Sequence, residues 1–406
     1  MSRWVWNNIK IPTWISYADN ATIDPFGRLR VSNPTTLFDS KQLFDNAPLF
    51  FDDQEVSGSG TTSTHSTAKA CTTMWVSANT AWKRVRQSFM RFNYQPWKWH
   101  LILCTGRISW AWTWITAAMW YFDDNNGLFF KEQDWVLYAV RRTSTSGSPV
   151  DNEVAQSSFN IDPMDWTWPS WVTLDVTKTQ IAFIDFEWLW VWRVRMWFVV
   201  DGLIHYCHEF LNANNLTTVY MSTPNLPIRY EIENDGTWAA ADMDHICSSV
   251  MSEWWTQNNG ILRHADSGAI SSLWAWTSYA IMWWRLKSTH LWANIIVENI
   301  SVLWSANDQA HWELVLWWTV AGTFTFSDVT NSAVQVATWS SSNTHSWWQE
   351  IDGWYFTTNQ AIQFTVPNAA RLWSAIDGTP QEWYLVVKPI TNNMTVRASC
   401  TWRELL

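Results

Sequence analysis

The stretch Ile181-Ala182-Phe183-Ile184-Asp185-Phe186-Glu187-Trp188, followed by Arg193-Val194-Arg195-Met196-Trp197-Phe198-Val199-Val200-Asp201-Gly202-Leu203-Ile204-His205-Tyr206-Cys207-His208, decides the fold class. Ala182, Ile184, Phe186 and Trp188 recur at every second position, with Asp185 and Glu187 between them. Successive side chains of a strand point to opposite faces, so this period of two predicts a half-buried strand. Val194, Met196, Phe198 and Val200 then alternate with Arg193 and Arg195 in the same way. Asp-Gly between two such runs is a strong signal for a two-residue hairpin turn. That turn predicts Val200 opposite Leu203, Phe198 opposite His205 and Arg195 opposite His208.

Outward from this hairpin the period of two persists, and sustained helical periodicity is scarce. Further strands are expected at 84–94, 100–108, 135–142, 216–221 and 279–286. Toward the C-terminus they are expected at 312–318, 322–327, 382–388 and 394–403, the last with Val396, Ala398, Cys400 and Trp402 facing one way. Many short strands separated by turn signals point to an all-β fold, a β-sandwich or jelly roll. Three parts are expected: an extended N-terminal arm at 1–55, a lectin-like sandwich domain at 56–300, and a smaller C-terminal β-domain at 301–406.

The arm reading rests on Pro12, Pro25, Pro34 and Pro48, each of which removes a backbone donor and interrupts a helix. Between them lie Phe26, Leu29, Val31, Leu37, Phe38, Leu43, Phe44, Phe50 and Phe51, too many apolar groups for a free tail. They are expected to bury on the chain's own body or on a neighbouring subunit. Residues 57–67, rich in Ser, Thr and Gly, read as a flexible polar link.

Lys and Arg number 26 against 36 Asp and Glu, a formal net charge of −10. Tracking a phosphate backbone needs a basic stripe, so nucleic-acid binding is disfavoured. The most apolar run, Trp188 to Val200, carries Arg193 and Arg195 and is too short to span a bilayer, so no membrane insertion is expected. Met1 to Lys10 shows no apolar core with a cleavage site, which predicts synthesis in a cytoplasm without a secretory leader. The five cysteines, Cys71, Cys104, Cys207, Cys247 and Cys400, are widely spaced and lack a CxxC, so neither a disulfide framework nor a zinc ribbon is expected.

Few constellations carry chemistry. Asp185 and Glu187, two apart on one strand, share a face and are the pair that a glycoside hydrolase would need. The structural alternative is that they pair with Arg193 or Arg195. His205, Cys207 and His208 suggest a metal by residue type, but His208 is expected on the face opposite the other two, and a packed histidine and buried thiol are favoured. The turn Asp123-Asp124-Asn125-Asn126-Gly127 and Asp19-Asn20 offer oxygens for calcium or a glycan without the EF-hand spacing. GxxxxGK[ST], HExxH and GxSxG are all missing. The expectation is a non-enzyme without cofactor or metal.

Two counts stand out, 38 Trp and 13 Gly. Glycine is then about 3% of the chain, where about 7% is usual. Trp occupies turns that normally call for glycine, as in Asp165-Trp166-Thr167-Trp168-Pro169-Ser170-Trp171 and Ala111-Trp112-Thr113-Trp114, and it is doubled at Trp254-Trp255 and Trp347-Trp348. A tight turn often needs positive φ, which glycine alone adopts cheaply. UGA is read as Trp in one genetic code and Gly in another. The pattern therefore predicts that most of these residues are glycine in the functional protein, with Trp188, Trp312, Trp383 and Trp402 as genuine tryptophans. A true Trp-rich surface for sugar stacking is the alternative.

The run Ile23-Asp24-Pro25-Phe26-Gly27-Arg28-Leu29-Arg30-Val31-Ser32-Asn33-Pro34, continuing through Thr36-Leu37-Phe38-Asp39-Ser40-Lys41-Gln42, resembles a family of tailed-bacteriophage virion structural proteins. The similarity extends through Val85-Arg86-Gln87, Arg91-Phe92-Asn93-Tyr94-Gln95-Pro96, Tyr121-Phe122-Asp123-Asp124-Asn125-Asn126-Gly127, His208-Glu209-Phe210-Leu211-Asn212-Ala213-Asn214 and Arg285-Leu286-Lys287-Ser288-Thr289-His290-Leu291, and so covers most of the chain. Trp97, Trp110, Trp120, Trp190, Trp192 and Trp292 stand where that family looks glycine-like. The resemblance implies a capsid- or tail-associated virion component that partners other virion proteins and itself as a homo-oligomer, and it carries no catalytic residues. Phe26, Arg28, Leu29, Arg30, Leu37, Phe38 and Phe44 are the expected assembly residues of the arm. Two alternatives accompany this reading. One is a host-glycan adhesin or fibre module with Asp123, Asp124, Asn125, Asp185 and Glu187 as contacts, and the other a polysaccharide depolymerase using Asp185 and Glu187.

Overall fold

The computed structural model describes residues 34–79, 81–108, 113–189, 191–253, 256–304, 309–316, 325–338, 349–357, 362–365 and 371–405. These divide into two compact units, one running up to Ser88 and over Phe92–Thr256, the other made of Phe89–Arg91 and Gln257–Leu406. The change of unit thus falls some way before the expected boundary at 300. Both units are all-β, and the described strands pair antiparallel.

Strands are numbered along the chain. In the first unit one sheet runs β13 (Leu203–Phe210), β12 (Val194–Val200), β11 (Gln180–Phe186), β6 (His100–Arg107), β15 (Ala241–Ser252), β4 (Cys71–Val76) and β3 (Thr61–Ser66), with β1 (Thr35–Lys41) added on β15. The other runs β10 (Val150–Ala155), β9 (Val136–Thr143), β8 (Gly127–Gln133), β7 (Ile115–Phe122), β14 (Ile228–Asn234), β5 (Trp82–Ser88) and β2 (Phe51–Ser57). The sheets face each other as a jelly-roll sandwich. Phe130 of β8 meets Phe198 of β12 with ring centroids 4.5 Å apart, and Tyr230 of β14 stacks on His245 of β15 at 4.1 Å. Tyr121 of β7 packs on Phe186 of β11 at 5.4 Å. Aromatic pairs of this kind add to the plain burial of their area.

The decisive hairpin forms. Val200 pairs with Leu203 and Phe198 with His205, but Arg195 lies opposite Glu209, not His208. A β-bulge between Met196 and Trp197 is the cause, since Cys207 of β13 is the extra residue. The bulge also overturns the expected faces of the His205/Cys207/His208 run. His205 and His208 lie opposite Phe198 and Met196, two residues of one face, so the two histidines share a side. Cys207 turns inward and its thiol donates to the carbonyl of Met196 at 3.1 Å.

Three other expectations change. The supposed polar link contains β3, whose threonines pair with β4 residue for residue from Thr61 opposite Val76 to Ser66 opposite Cys71. Threonine is β-branched and fits a pleated strand as well as it fits a loop. The segment 216–221 forms no strand; Leu216 and Asn215 both donate to the carbonyl of Asn212, which closes a turn there. The expected strand 84–94 ends at Ser88. In the described part of the expected arm, β1 and β2 are members of the sandwich sheets and not an appendage, with bends and turns at 42–50 between them.

The second unit is a smaller β-sandwich. One sheet runs β16 (Ile261–Asp266), β27 (Met394–Leu405), β19 (Asn294–Trp304) and β24 (Ile362–Thr365), with β17 (Ile270–Leu273) on β27 and β25 (Arg371–Leu372) on β19. The other runs β21 (Ser327–Asp328), β22 (Val334–Thr338), β18 (Tyr279–Leu286), β26 (Trp383–Pro389), β20 (Gln309–Leu316) and β23 (Gln349–Thr357). Val396, Ala398, Cys400 and Trp402 share the buried face of β27, as their alternation predicts. Of the expected strand 322–327, residues 322–324 lie outside the described residues, and β21 begins at Ser327.

Candidate functional site

The surface feature with the best-defined support is the loop Gln42–Phe50, which joins β1 to β2. Four large apolar side chains stand out from it: Leu43, Phe44, Leu49 and Phe50, with Phe44 88% exposed. Such a concentration of apolar surface within eight residues marks an interaction site or an aggregation liability.

The loop is fixed, and the residue that fixes it is Arg86 of β5, whose guanidinium is fully buried. Its Nη1 donates to Asp53 Oδ2 at 2.9 Å and its Nη2 to Gln42 Oε1 at 3.1 Å. Nη2 also donates to the carbonyl of Asn46, inside the loop. Nε donates to His245 Nδ1 at 3.2 Å, and the ring of Phe51 lies 4.5 Å from the guanidinium carbon. A buried cation persists only when paired and hydrogen-bonded on all sides, so these acceptors must stay in place. His245 accepts at Nδ1 and therefore donates through Nε2 to Ser248 Oγ at 3.0 Å. Burial and the neighbouring Arg86 charge hold the His245 pKa well below the ordinary histidine range. Within the loop, Ala47 takes a positive φ of 49° and donates to Asp45 Oδ1 at 2.8 Å, while its own carbonyl accepts from Phe50 and Phe51. Arg86 was not among the expected site residues, because a strand arginine reads as a solvent-facing residue.

The expected arm residues fall apart into three groups. Phe26, Arg28, Leu29 and Arg30 lie outside the described residues, as does Asp19-Asn20. Phe38 is buried and makes edge contacts with Phe50 and Phe51, and Leu37 is half-buried. Of the three that are described, Phe44 alone is open to solvent.

Asp185 and Glu187 are both fully buried. Asp185 lies opposite Arg195 in register and forms an ion pair with its Nη2. Arg195 in turn sits 5.1 Å over the ring of Trp197. For Asp185 the structural alternative is the one realised, and neither carboxylate meets solvent. Asp123 serves its own turn, accepting at Oδ1 from the backbone of Asn125 and Asn126, both at 2.8 Å. Asp124 pairs with Arg229 at 2.7 Å. Asn126 ties the turn down through Ser222 and Ser144. Asp123 and Asn126 thus shape the turn, and the side chains of Asp124 and Asn125 stand exposed on it. The five cysteines are all free thiols.

The tryptophans have a distinctive backbone. Among the described non-glycine residues with positive φ, seven are Trp: Trp97 (68°), Trp114 (78°), Trp120 (145°), Trp135 (71°), Trp166 (70°), Trp171 (58°) and Trp276 (63°). Positive φ is uncommon outside glycine, favours Asn and Asp where it occurs, and is a true outlier for a bulky side chain. Six of the seven also hold the indole in water, with Trp276 70% exposed. Trp402, expected to be genuine, is buried and donates from Nε1 to Glu404 Oε1 at 2.9 Å.

No helix among the described residues is long and apolar enough to cross a membrane. No family model matches the chain, and no curated protein matches it. Solved structures that are similar include a Bacillus licheniformis β-glucanase, at 10% identity and a TM-score of 0.34, over 52% of this chain and 96% of that one. The carbohydrate recognition domain of Emp47p is similar at 11% identity and a TM-score of 0.33, over 52% and 94%. The exoplasmic/lumenal domain of VIP36, in a Ca2+/Man3GlcNAc-bound form, is similar at 9% and 0.31, over 54% and 89%.

Proposed function

We propose that this chain is a structural component of a tailed-phage virion that associates, with itself or with other virion proteins, through the loop Gln42–Phe50. The observation that carries the reading is the exposure of Leu43, Phe44, Leu49 and Phe50 on a loop pinned from beneath by Arg86. A rigid loop loses little conformational entropy on docking, so more of its apolar burial is available for association. Each Phe or Leu fully covered contributes about 1.5–3 kcal/mol, and a few such anchors suffice for stable assembly. The resemblance of the segment 23–42 to virion structural proteins supports a place in the virion.

In the same reading, the turn tryptophans stand for glycine in the functional chain. Positive φ at Trp97, Trp114, Trp135, Trp166, Trp171 and Trp276 supports this, as does their exposure. A glycan-binding adhesin is the second reading, and it rests on Trp166, Trp168 and Trp171, three exposed indoles on one loop. Peptide mass spectrometry of purified particles, with Trp and Gly both allowed at these three positions, separates the two. Glycine there, in peptides recovered from particles, supports the virion component; tryptophan there moves the adhesin to first place. The depolymerase draws no support from Asp185 and Glu187, which are enclosed.

Association is tested with the double variant Leu43→Ser/Phe44→Ser. Sedimentation velocity should show the parent as an oligomer and the variant shifted to monomer, with an unchanged melting temperature. A parent that is monomeric and enters particles as well with the variant loop as without it overturns the proposed contact.

A further inference from the structure

We propose that His311, Glu313 and Glu350 form a binding site for one divalent transition-metal ion, with zinc as its representative, on the outer face of the second β unit. The site arises from strand register. On β20, Ala310, Trp312, Leu314 and Leu316 enter the hydrophobic core, so His311 and Glu313 face outward together. Glu313 lies opposite Gly353 of β23, and regular pairing would set Ile351 opposite Val315. A bulge between Leu314 and Val315 sets Glu350 there instead, which brings its carboxylate to the face of His311 and Glu313. Re-aiming one side chain is a recurring use of bulges beside functional sites.

The donor atoms of the three residues all lie within 4.8 Å of one another. His311 Nδ1 and Glu313 Oε1 stand 2.8 Å apart, so both donor atoms already converge on one point. Glu313 is 5% exposed, and its second oxygen, Oε2, is buried without a hydrogen-bond partner. A buried carboxylate oxygen left without a partner is costly, and a cation bound by the carboxylate supplies one. Gly353 keeps the space clear. A Cβ there would stand 2.5 Å from Glu350 Oε1 and 3.4 Å from His311 Nε2.

One imidazole nitrogen with carboxylate oxygens suits zinc and its first-row neighbours, whereas calcium takes six to eight oxygens. Lys388 of β26 lies opposite His311 on the other side of β20, and its single positive charge is outweighed by the two carboxylates. Zinc bonds to nitrogen and oxygen are about 2.0–2.2 Å long, so the ligands must draw together. Glu350 is exposed and has the freedom to close on the ion.

The test uses the full chain, stripped with chelator and titrated with zinc chloride, with cobalt(II) as a spectroscopic substitute. One equivalent of zinc should bind, and cobalt should give a visible absorption band. Glu350→Gln, an exposed change that spares the core, should weaken zinc by about tenfold or more. His311→Gln should do the same and abolish the cobalt band. Glu350→Gln should melt with the parent in the absence of metal, which separates ligand loss from misfolding. No bound zinc in the parent, or equal affinity in the parent and both variants, overturns the site.

Discussion

Arg86 Nη1 stands 2.9 Å from Asp53 Oδ2, and this pair joins the middle of β5 to the strand that leaves the apolar loop. Asp53 also accepts from Arg84 Nε at 2.7 Å, so one carboxylate holds two arginines at the sheet edge. The loop's outward shape thus depends on a charge inside the sandwich.

Replacing that charge should loosen the loop and the fold together. In Arg86→Met, the Asn46 carbonyl and His245 Nδ1 lose this donor, while Gln42 Oε1 keeps the Thr72 hydroxyl and Asp53 keeps Arg84. Each buried acceptor left unpaired costs about 1–3 kcal/mol, so a total loss of roughly 3 kcal/mol is expected. Arg86→Lys should rescue little of this, because an ammonium lacks the planar fork that reaches four partners. Denaturant unfolding with each variant measures it, and a loss under about 1 kcal/mol would show that water replaces the guanidinium.

Restoring glycine should stabilise the chain. Trp97→Gly, Trp135→Gly, Trp166→Gly, Trp171→Gly and Trp276→Gly each remove a bulky residue from positive φ. The relief is about 1 kcal/mol per site, partly offset by the greater freedom of the unfolded chain. The five changes combined should raise the melting temperature. A fall instead would mean that the indoles make contacts worth more than the strain.

Acid should destabilise the first unit over a defined window. Burial pushes the pKa of His100 and of His208 down to about 4, and burial with Arg86 holds His245 lower than the ordinary value. Histidine in the unfolded chain binds its proton near pH 6.5, so the unfolded state takes up protons first. Stability is complete above about pH 6.5 and is lost as pH falls toward about 4, by at most about 3 kcal/mol for each of the two valued shifts. Glu132, pushed up to about 8 by burial, works the other way and weakens the fold as pH rises through the range between 4.5 and about 8. Thermal melts at pH 7, 5.5 and 4 should show a falling midpoint, and a flat profile would contradict the neutral buried histidines.

The alternation of apolar residues made the all-β class and the Asp201-Gly202 hairpin legible, because strand period is a local property. The bulge at Cys207 was not legible, since one inserted residue shifts the register without altering composition. β3 was missed because its threonines serve a strand and a polar linker equally well. Phe44 was readable as an arm residue in need of cover, whereas Arg86 was not, because its burial is created by residues far away in the chain, Asp53 and His245 among them. The carboxylates Asp185 and Glu187 looked like chemistry because sequence spacing reports a shared face but not what lies over it.

Strand β15 has a consequence for the order in which the molecule is made. On one side it pairs with β6 along most of its length; on the other its first half receives β4 and its second half β1, with Thr35 opposite Ser252. The earliest described strand therefore has no partner until more than two hundred further residues have left the ribosome. Contacts so distant along the chain form slowly, and unpaired strands waiting for them are prone to aggregate. Phe38 and the apolar loop behind it spend that interval uncovered, so the nascent chain is at its stickiest before it can assemble correctly. Chaperone cover during translation, and not the stability of the finished sandwich, should set how much of this protein reaches its destination.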